Sequence, residues 1–256
     1  MRIPSKQIAF LLAVLLAAPC ARAQAVKVAA AADLKFAMTE LAAQCEKQSG
    51  AKLDVTYGSS GNFLTQLQNG APFDLFFSAD SDYPKKLEAA GLTESGALRE
   101  YAVGHIVIWT PSDTQINPAK DGWKCLLDPR VKKIAIATPE HAPYGRAAVA
   151  SMKKAGIYEQ VKNKLVYGEN ISQAAEFVQS GNAQVGIVAL SLALSPAMKS
   201  GNKWEIPADS YPPIKQAAVI LKASKNKDAA RRFLDFVSGP QGREILQRFG
   251  FTVPAP

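Results

Sequence analysis

The stretch YGSSGNF, residues 57–63, decides the fold because it joins a strand to a helix through a tight turn. Before it, the alternating and β-branched residues 53–57 predict a strand. After it, apolar residues recur at helical spacing up to residue 68. A helix start of this kind leaves backbone N–H groups unpaired and carries partial positive charge, which predicts an anion site. The alternative is a turn in which Ser60 or Asn62 only caps the helix.

The chain around this turn alternates strands and helices. Apolar runs over 26–31 and 71–78 predict buried strands, and residues 34–45 between them predict an amphipathic helix. Asp33 stands at the N-cap position of that helix. A second set of strands is predicted after a link over residues 101–104. This alternation predicts an open α/β sheet.

Residues 1–25 have the form of a secretory signal peptide. Cationic residues precede an apolar run that is too short to span a bilayer, and small residues then allow cleavage near 23/24 or 25/26. A lipidated Cys20 is the alternative, but its flanking residues fit a lipoprotein box poorly. We therefore expect an exported, periplasmic protein.

Composition and charge exclude several classes of protein. The 256 residues are 48% hydrophobic and 20% charged, an ordinary globular composition that allows one large domain or two smaller ones. The formal net charge of +8 falls to +5 without the three cations of residues 1–25. This excess is scattered and forms no basic arm, so we expect no nucleic-acid partner.

Cysteine and histidine usage argues against metal and catalytic sites. Cys45 lies on the apolar stripe of its helix, which predicts a buried thiol rather than a disulfide to Cys125. No C-x-x-C pair or Cys/His cluster is present, so no direct metal ligands are expected. A serine of the opening turn could be a nucleophile with His105 or His141 as its base, but the turn is not G-x-S-x-G. We expect a protein that is not an enzyme.

Four turns share the layout of a strand, a few small or polar residues and a helix start. They lie at residues 31–33, 58–61, 143–145 and 169–171. In an open α/β sheet such turns lie at the carboxyl ends of the strands, where ligands bind. Two turns precede residue 104 and two follow it, which predicts a cleft between two lobes that holds a small anion with backbone N–H groups.

With these turns in place, the chain resembles the periplasmic molybdate-binding proteins of ABC transporters. The resemblance extends over the mature chain and rests on the stretches at 30–34 (AAADL), 57–61 (YGSSG), 69–74 (NGAPFD), 77–80 (FSAD), 143–145 (PYG) and 239–241 (GPQ). It implies a two-lobed flytrap fold, in which each lobe is a mixed, mostly parallel sheet flanked by helices. The implied division is 26–104 plus 216–256 for lobe I and 105–215 for lobe II.

The resemblance also implies a function and a site. The protein would be a monomer that captures molybdate or tungstate without a cofactor, holds the molybdenum as the oxyanion, and passes it to a membrane permease. Ser60 would donate its hydroxyl and backbone N–H to the oxyanion, and Tyr144 and Ile171 would each donate a backbone N–H. Ala32 and Ser59 are further candidates.

Asp33 departs from the family, which usually has serine or asparagine there. An ionised aspartate only accepts hydrogen bonds, so it opposes a dianion. We expect the Asp33 side chain to cap its own helix while its backbone N–H binds the ligand. In a second possibility, the carboxyl hydrogen-bonds to the ligand through a proton carried by Asp33 or by the ligand. In a third, a nearby cation such as Lys35 neutralises the charge of Asp33. The alternative function is therefore a binding protein for phosphate, sulfate or a small organic phosphate, with Asp33 accepting a hydrogen bond from a protonated oxyanion.

Overall fold

The computed structural model describes residues 25–254, so the predicted signal peptide lies almost wholly outside the described residues. The strands are β1 Val26–Ala31, β2 Leu53–Gly58, β3 Leu75–Ser78, β4 Arg99–Gly104, β5 Ile106–Thr110, β6 Ile134–Ala137, β7 Leu165–Gly168, β8 Val185–Ala189, β9 Asn202–Glu205 and β10 Ile214–Ile220. The α-helices are α1 Lys35–Ser49, α2 Ser60–Gln68, α3 Asp82–Ala89, α4 Pro118–Asp121, α5 Pro143–Lys154, α6 Tyr158–Val161, α7 Ile171–Gln179, α8 Leu190–Ala193, α9 Lys227–Ser238 and α10 Pro240–Arg248. Short 3-10 segments lie at Ala32–Leu34, Gly122–Leu127, Lys162–Lys164 and Ala208–Ser210. Within residues 25–254, no helix is both long and apolar enough to cross a bilayer.

Two five-stranded sheets organise the chain, in the orders β2-β1-β3-β10-β4 and β7-β6-β8-β5-β9. In the first sheet β1 is parallel to β2 and β3, while β10 is antiparallel to β3 and β4. The second sheet repeats this plan: β6 is parallel to β7 and β8, and β5 is antiparallel to β8 and β9. The predicted two-lobed α/β class is confirmed, with parallel pairings making up half of each sheet.

We call the parts of the chain around the two sheets the first lobe and the second lobe. The chain passes from the first sheet to the second between Gly104 and Ile106, and returns between Glu205 and Ile214. The division at residues 105 and 216 stays a prediction, with β10 beginning at Ile214.

The link predicted over residues 101–104 is part of a strand. β4 pairs antiparallel with β10, and Tyr101 and Ala102 are buried in that pairing. The prediction was wrong because the partner strand lies more than 100 residues later in the chain, and a pairing over that distance cannot be recognised from the local sequence.

Apolar strands carry the cores of both lobes. β3, β5, β6 and β8 are buried along their whole length, as expected for strands covered by helices on both faces. The core of the second lobe also includes Ala31, Ala32 and Ala79 of the first lobe, so the lobes touch where β1 and β3 end. Cys45 is a buried free thiol, as predicted, and Cys125 is buried and free as well.

Candidate anion-binding site

Four helical segments begin around one small cavity between the lobes. Two belong to the first lobe, the Ala32–Leu34 segment and α2, and two to the second, α5 and α7. The cavity is small, with a volume of about 10 Å³. The structure brings together all six residues predicted for the site, which line this cavity: Ala32, Asp33, Ser59, Ser60, Tyr144 and Ile171.

The hydroxyl of Ser60 is available to donate a hydrogen bond into the cavity. Its Oγ accepts a hydrogen bond from the backbone N–H of Ala79 at 2.9 Å, and the residue is 1% exposed. Since that bond uses only a lone pair, the O–H of Ser60 remains available as a donor. The N-cap of α2 is Ser59, whose side chain makes no capping bond and donates to the carbonyl of His141 at 2.6 Å. Neither Ser60 nor Asn62 caps this helix.

Backbone N–H groups supply the other donors. Ser60 and Ile171 are the first residues of α2 and α7, and Tyr144 is the second residue of α5, positions that have no acceptor within their helix. Asn170 caps α7 as predicted. Its side chain accepts from the backbone N–H groups of Ser172 and of the residue after it, so this cap does not use the N–H of Ile171. Helix N-termini from both lobes therefore offer N–H groups and partial positive charge to the same small space.

Asp33 does not cap its helix, and that prediction was wrong. Neither the Ala32–Leu34 segment nor α1 has a side-chain capping bond. Instead, Oδ2 of Asp33 accepts from the Tyr144 hydroxyl at 2.8 Å and from Nε2 of Gln216 at 2.6 Å. Oδ1 is buried and has no hydrogen-bond partner among residues 25–254. The carboxyl is thus tied to the second lobe through Tyr144 and to β10 through Gln216.

Lys35 does not offset the charge of Asp33. Its ammonium lies 3.4 Å from a carboxylate oxygen of Glu176, and both side chains are about half exposed. Burial raises the pKa of Asp33 from 3.8 to about 6, while hydrogen bonds from Gln216, from Tyr144 and from the backbone at residues 33 and 34 hold it lower than burial alone would. Together these hydrogen bonds do not offset the full cost of burying the carboxylate.

Sequence reasoning missed the polar network behind Asp33. Tyr101 donates to Oε1 of Gln216 at 2.7 Å, and Nε2 of Gln216 also donates to the Tyr144 hydroxyl at 3.0 Å. Burial raises the pKa of both tyrosines far above the usual range, so they act as neutral donors. The signal in the sequence is the position of Gln216, whose polar side chain is followed by four apolar residues. In the structure Gln216 lies in β10 and is fully buried.

Gly104 makes room for this network. A Cβ at this position would lie 2.1 Å from the hydroxyl oxygen of Tyr144 and 2.9 Å from Nε2 of Gln216. Any side chain would displace the hydroxyl from Asp33. The glycine at the crossing between the lobes is therefore part of the site.

Polar contacts close the lobes around the cavity. The backbone N–H of Gly61 donates to the carbonyl of His141 at 3.0 Å, and Ser191 donates from Oγ to the carbonyl of Asp33 at 2.8 Å. Further pairs across the cleft are Asn62 with Glu169 at 3.2 Å, Arg146 with Tyr83 at 2.9 Å, and Arg146 with Asp80. A ligand held here would be enclosed by both lobes.

Larger clefts lie elsewhere, among them two of about 480 and 500 Å³. Neither is lined by Asp33 or Ser60. A small anion needs several donors within hydrogen-bond reach at once, and the small cavity gathers the helix starts of both lobes.

Comparisons with known proteins agree with this geometry. The profile of the family described as bacterial extracellular solute-binding protein matches residues 26–252. The molybdate-binding protein ModA of Azotobacter vinelandii is 40% identical over 92% of this chain and 93% of its own length. ModA of Rhodobacter capsulatus is 39% identical over 93% and 91%. The solved periplasmic molybdate-binding protein of Azotobacter vinelandii superposes with a TM-score of 0.84 at 33% identity, over 90% of this chain and 100% of that one.

Proposed function

This chain belongs to the bacterial extracellular solute-binding protein family, and we propose that it captures molybdate or tungstate between its lobes and delivers it to an ABC permease. The observation that carries the proposal is the convergence of four helix starts on one small cavity between the lobes. The relatives that are 39–40% identical over nearly the whole chain, both named for molybdate, support the choice of cargo.

The proposed contacts to the oxyanion are hydrogen bonds from neutral donors. Ser60 would give its hydroxyl and backbone N–H, and Tyr144 and Ile171 would each give a backbone N–H. Ala32 and Ser59 also line the cavity. Held in this way, the anion meets no cationic side chain, so the cost of desolvating it is offset by oriented dipoles. Specificity would come from the size of the cavity that forms around the anion and from its lining of donors, because molybdate and tungstate are larger than sulfate.

The contacts of the two histidines favour a transport protein over a serine-dependent enzyme. Neither histidine ring is bonded to a serine of the turn: the ring of His141 bonds to the carbonyl of Glu169 and that of His105 to Thr252, so neither activates Ser59 or Ser60. We infer a monomeric carrier that is exported by the signal peptide predicted over residues 1–25 and binds no nucleic acid. Direct contact between the lobes around the cargo would give the permease a closed form to recognise.

A thermal-shift series with molybdate, tungstate, sulfate and phosphate tests the proposal. A ligand that binds only the folded protein adds about 2.7 kcal/mol at one hundred times its dissociation constant. For a chain of this size, that stabilisation raises the melting temperature by roughly 5–10 °C. We expect this rise with molybdate and tungstate. A rise with phosphate or sulfate and none with molybdate would contradict the proposal and favour the alternative cargo.

Closure of the lobes gives a separate prediction at Gly61. A Cβ there would lie 2.7 Å from the carbonyl oxygen and 2.9 Å from Cα of His141, which is backbone of the other lobe. Gly61→Ala is expected to hold the lobes apart and weaken molybdate binding about tenfold, since overpacking costs about 1–3 kcal/mol. Titration calorimetry gives the dissociation constant, and solution scattering with molybdate reports closure.

The free Gly61→Ala protein should be no less stable than the wild type, because alanine is the better helix former and the clash arises only between lobes. Gln66→Ala, an exposed substitution in the same helix, is the control. Unchanged affinity in Gly61→Ala would show that the contact with His141 is not part of the ligand-bound form.

A further inference from the structure

The unpartnered oxygen of Asp33 calls for an explanation. The residue is 1% exposed and lines the cavity, and its Oδ2 already accepts two hydrogen bonds. Oδ1 accepts none from any group of residues 25–254. A buried polar atom without a partner is costly, so an atom of this kind at a binding site points to a partner that arrives with the ligand.

The groups that face Asp33 from the surrounding elements are uncharged. Tyr144 on α5 and Gln216 on β10 donate to its carboxyl, and Tyr101 on β4 stands behind Gln216. Ser191 on α8 bonds to the backbone carbonyl of Asp33.

The nearby charged side chains are engaged elsewhere. Lys35 on α1 pairs with Glu176 on α7, and Arg146 on α5 pairs with Asp80. The influences that set the pKa of Asp33 are burial and hydrogen bonds, with no lysine, arginine or histidine among them. No cation of the described chain neutralises this carboxyl.

An ionised Asp33 is incompatible with a dianion in this cavity. Two negative groups within a few ångströms, shielded from water, repel strongly, and Oδ1 could offer only lone pairs to the anion's own lone pairs. We propose that Asp33 holds the oxyanion as a neutral carboxylic acid that donates a hydrogen bond from Oδ1, so that one proton enters the site with each oxyanion. This inference rests on the function proposed above and adds coupling to pH.

The proton balance is simple. One proton from the solvent adds to Oδ1 as the oxyanion binds, and no other bond forms or breaks. Burial already raises the pKa of Asp33 to about 6, and a neighbouring dianion raises it further. Molybdate itself holds a proton only in acid solution, so Asp33 is the better place for the proton at neutral pH.

Counting protons during binding tests the inference. Molybdate is titrated into the full-length mature protein at about pH 8 by calorimetry, in buffers with different ionisation enthalpies. We expect uptake close to one proton per molybdate. The dissociation constant should rise about tenfold per pH unit between the pKa values of Asp33 in the free and bound protein.

Asp33→Asn supplies the matched variant. Its amide keeps an acceptor for Tyr144 and Gln216 and places a permanent N–H donor where Oδ1 lies. We expect no proton uptake, an affinity independent of pH, and binding at least tenfold tighter than wild type at about pH 8. Asp33→Ser, which also cannot ionise, should likewise take up no proton. Asp54→Asn, the same change at an exposed position of the first lobe, should behave as wild type.

Each other outcome overturns a defined part of the scheme. Molybdate binding without proton uptake, or uptake that persists in Asp33→Asn, would refute the role of Asp33 and leave the proposed function standing. Weaker binding by folded Asp33→Asn than by wild type would do the same. Phosphate bound more tightly than molybdate and without uptake would mean that an ionised Asp33 accepts from a protonated ligand. If none of the four anions binds, the proposed function fails and this inference fails with it.

Discussion

Substituting Ser60 by alanine is expected to raise the dissociation constant for molybdate about 10- to 150-fold. The Ser60 hydroxyl accepts from the N–H of Ala79 at 2.9 Å, which fixes the oxygen and directs its hydrogen to another acceptor. A hydrogen bond to a charged group contributes about 1.5–3 kcal/mol, and its loss gives this change in affinity. Titration calorimetry measures it directly.

The control for Ser60→Ala is Thr65→Ala on the same helix. Thr65 is exposed and its hydroxyl bonds only to the carbonyl of Gly61, so its loss should leave the affinity within about twofold. Melting curves without molybdate establish that both variants are folded. A Ser60→Ala protein that binds as tightly as wild type would remove this hydroxyl from the site, whatever the cargo proves to be.

The helix starts of the site could be predicted from sequence because each is a local event. A strand, a few small residues and a helix can be recognised within ten residues, as at 57–63, and the carboxyl-end rule then places such turns along one edge of a sheet. Ser60, Tyr144 and Ile171 were found in this way together with the family resemblance, and the structure gathers them around one cavity.

The environment of Asp33 could not be predicted because it is assembled from distant parts of the chain. Tyr144 lies 111 residues away and Gln216 lies 183 residues away. The local rule for an aspartate before a helix is capping, and it failed here because two buried donors from other elements compete for the same carboxylate. Strand β4 could not be predicted for the same reason, because its partner strand β10 is far away in sequence.

The buried carboxyl also has a cost that depends on pH. The pKa of Asp33 is about 6 in the folded protein and close to 3.8 when the chain is unfolded and solvated. The folded state therefore binds the proton more tightly, so stability falls as pH rises from about 4 through 6 and stays reduced above that range. Since each pKa unit corresponds to about 1.4 kcal/mol, the full penalty is about 3 kcal/mol.

Asp33→Asn should remove this penalty in the protein without oxyanion. At about pH 8 the variant is expected to be more stable to urea by up to about 3 kcal/mol, an upper bound because its new N–H also lacks a partner. At about pH 4 the wild-type carboxyl is protonated in the folded state and close to half protonated in the unfolded state, so the difference should fall to about 0.5 kcal/mol. Every other titrating group is common to the two proteins. The pH dependence of the difference between their free energies of unfolding therefore reports on Asp33 alone. A gain of equal size at both pH values would instead indicate better packing, and it would mean that the wild-type carboxyl is not held in an environment that disfavours its charge.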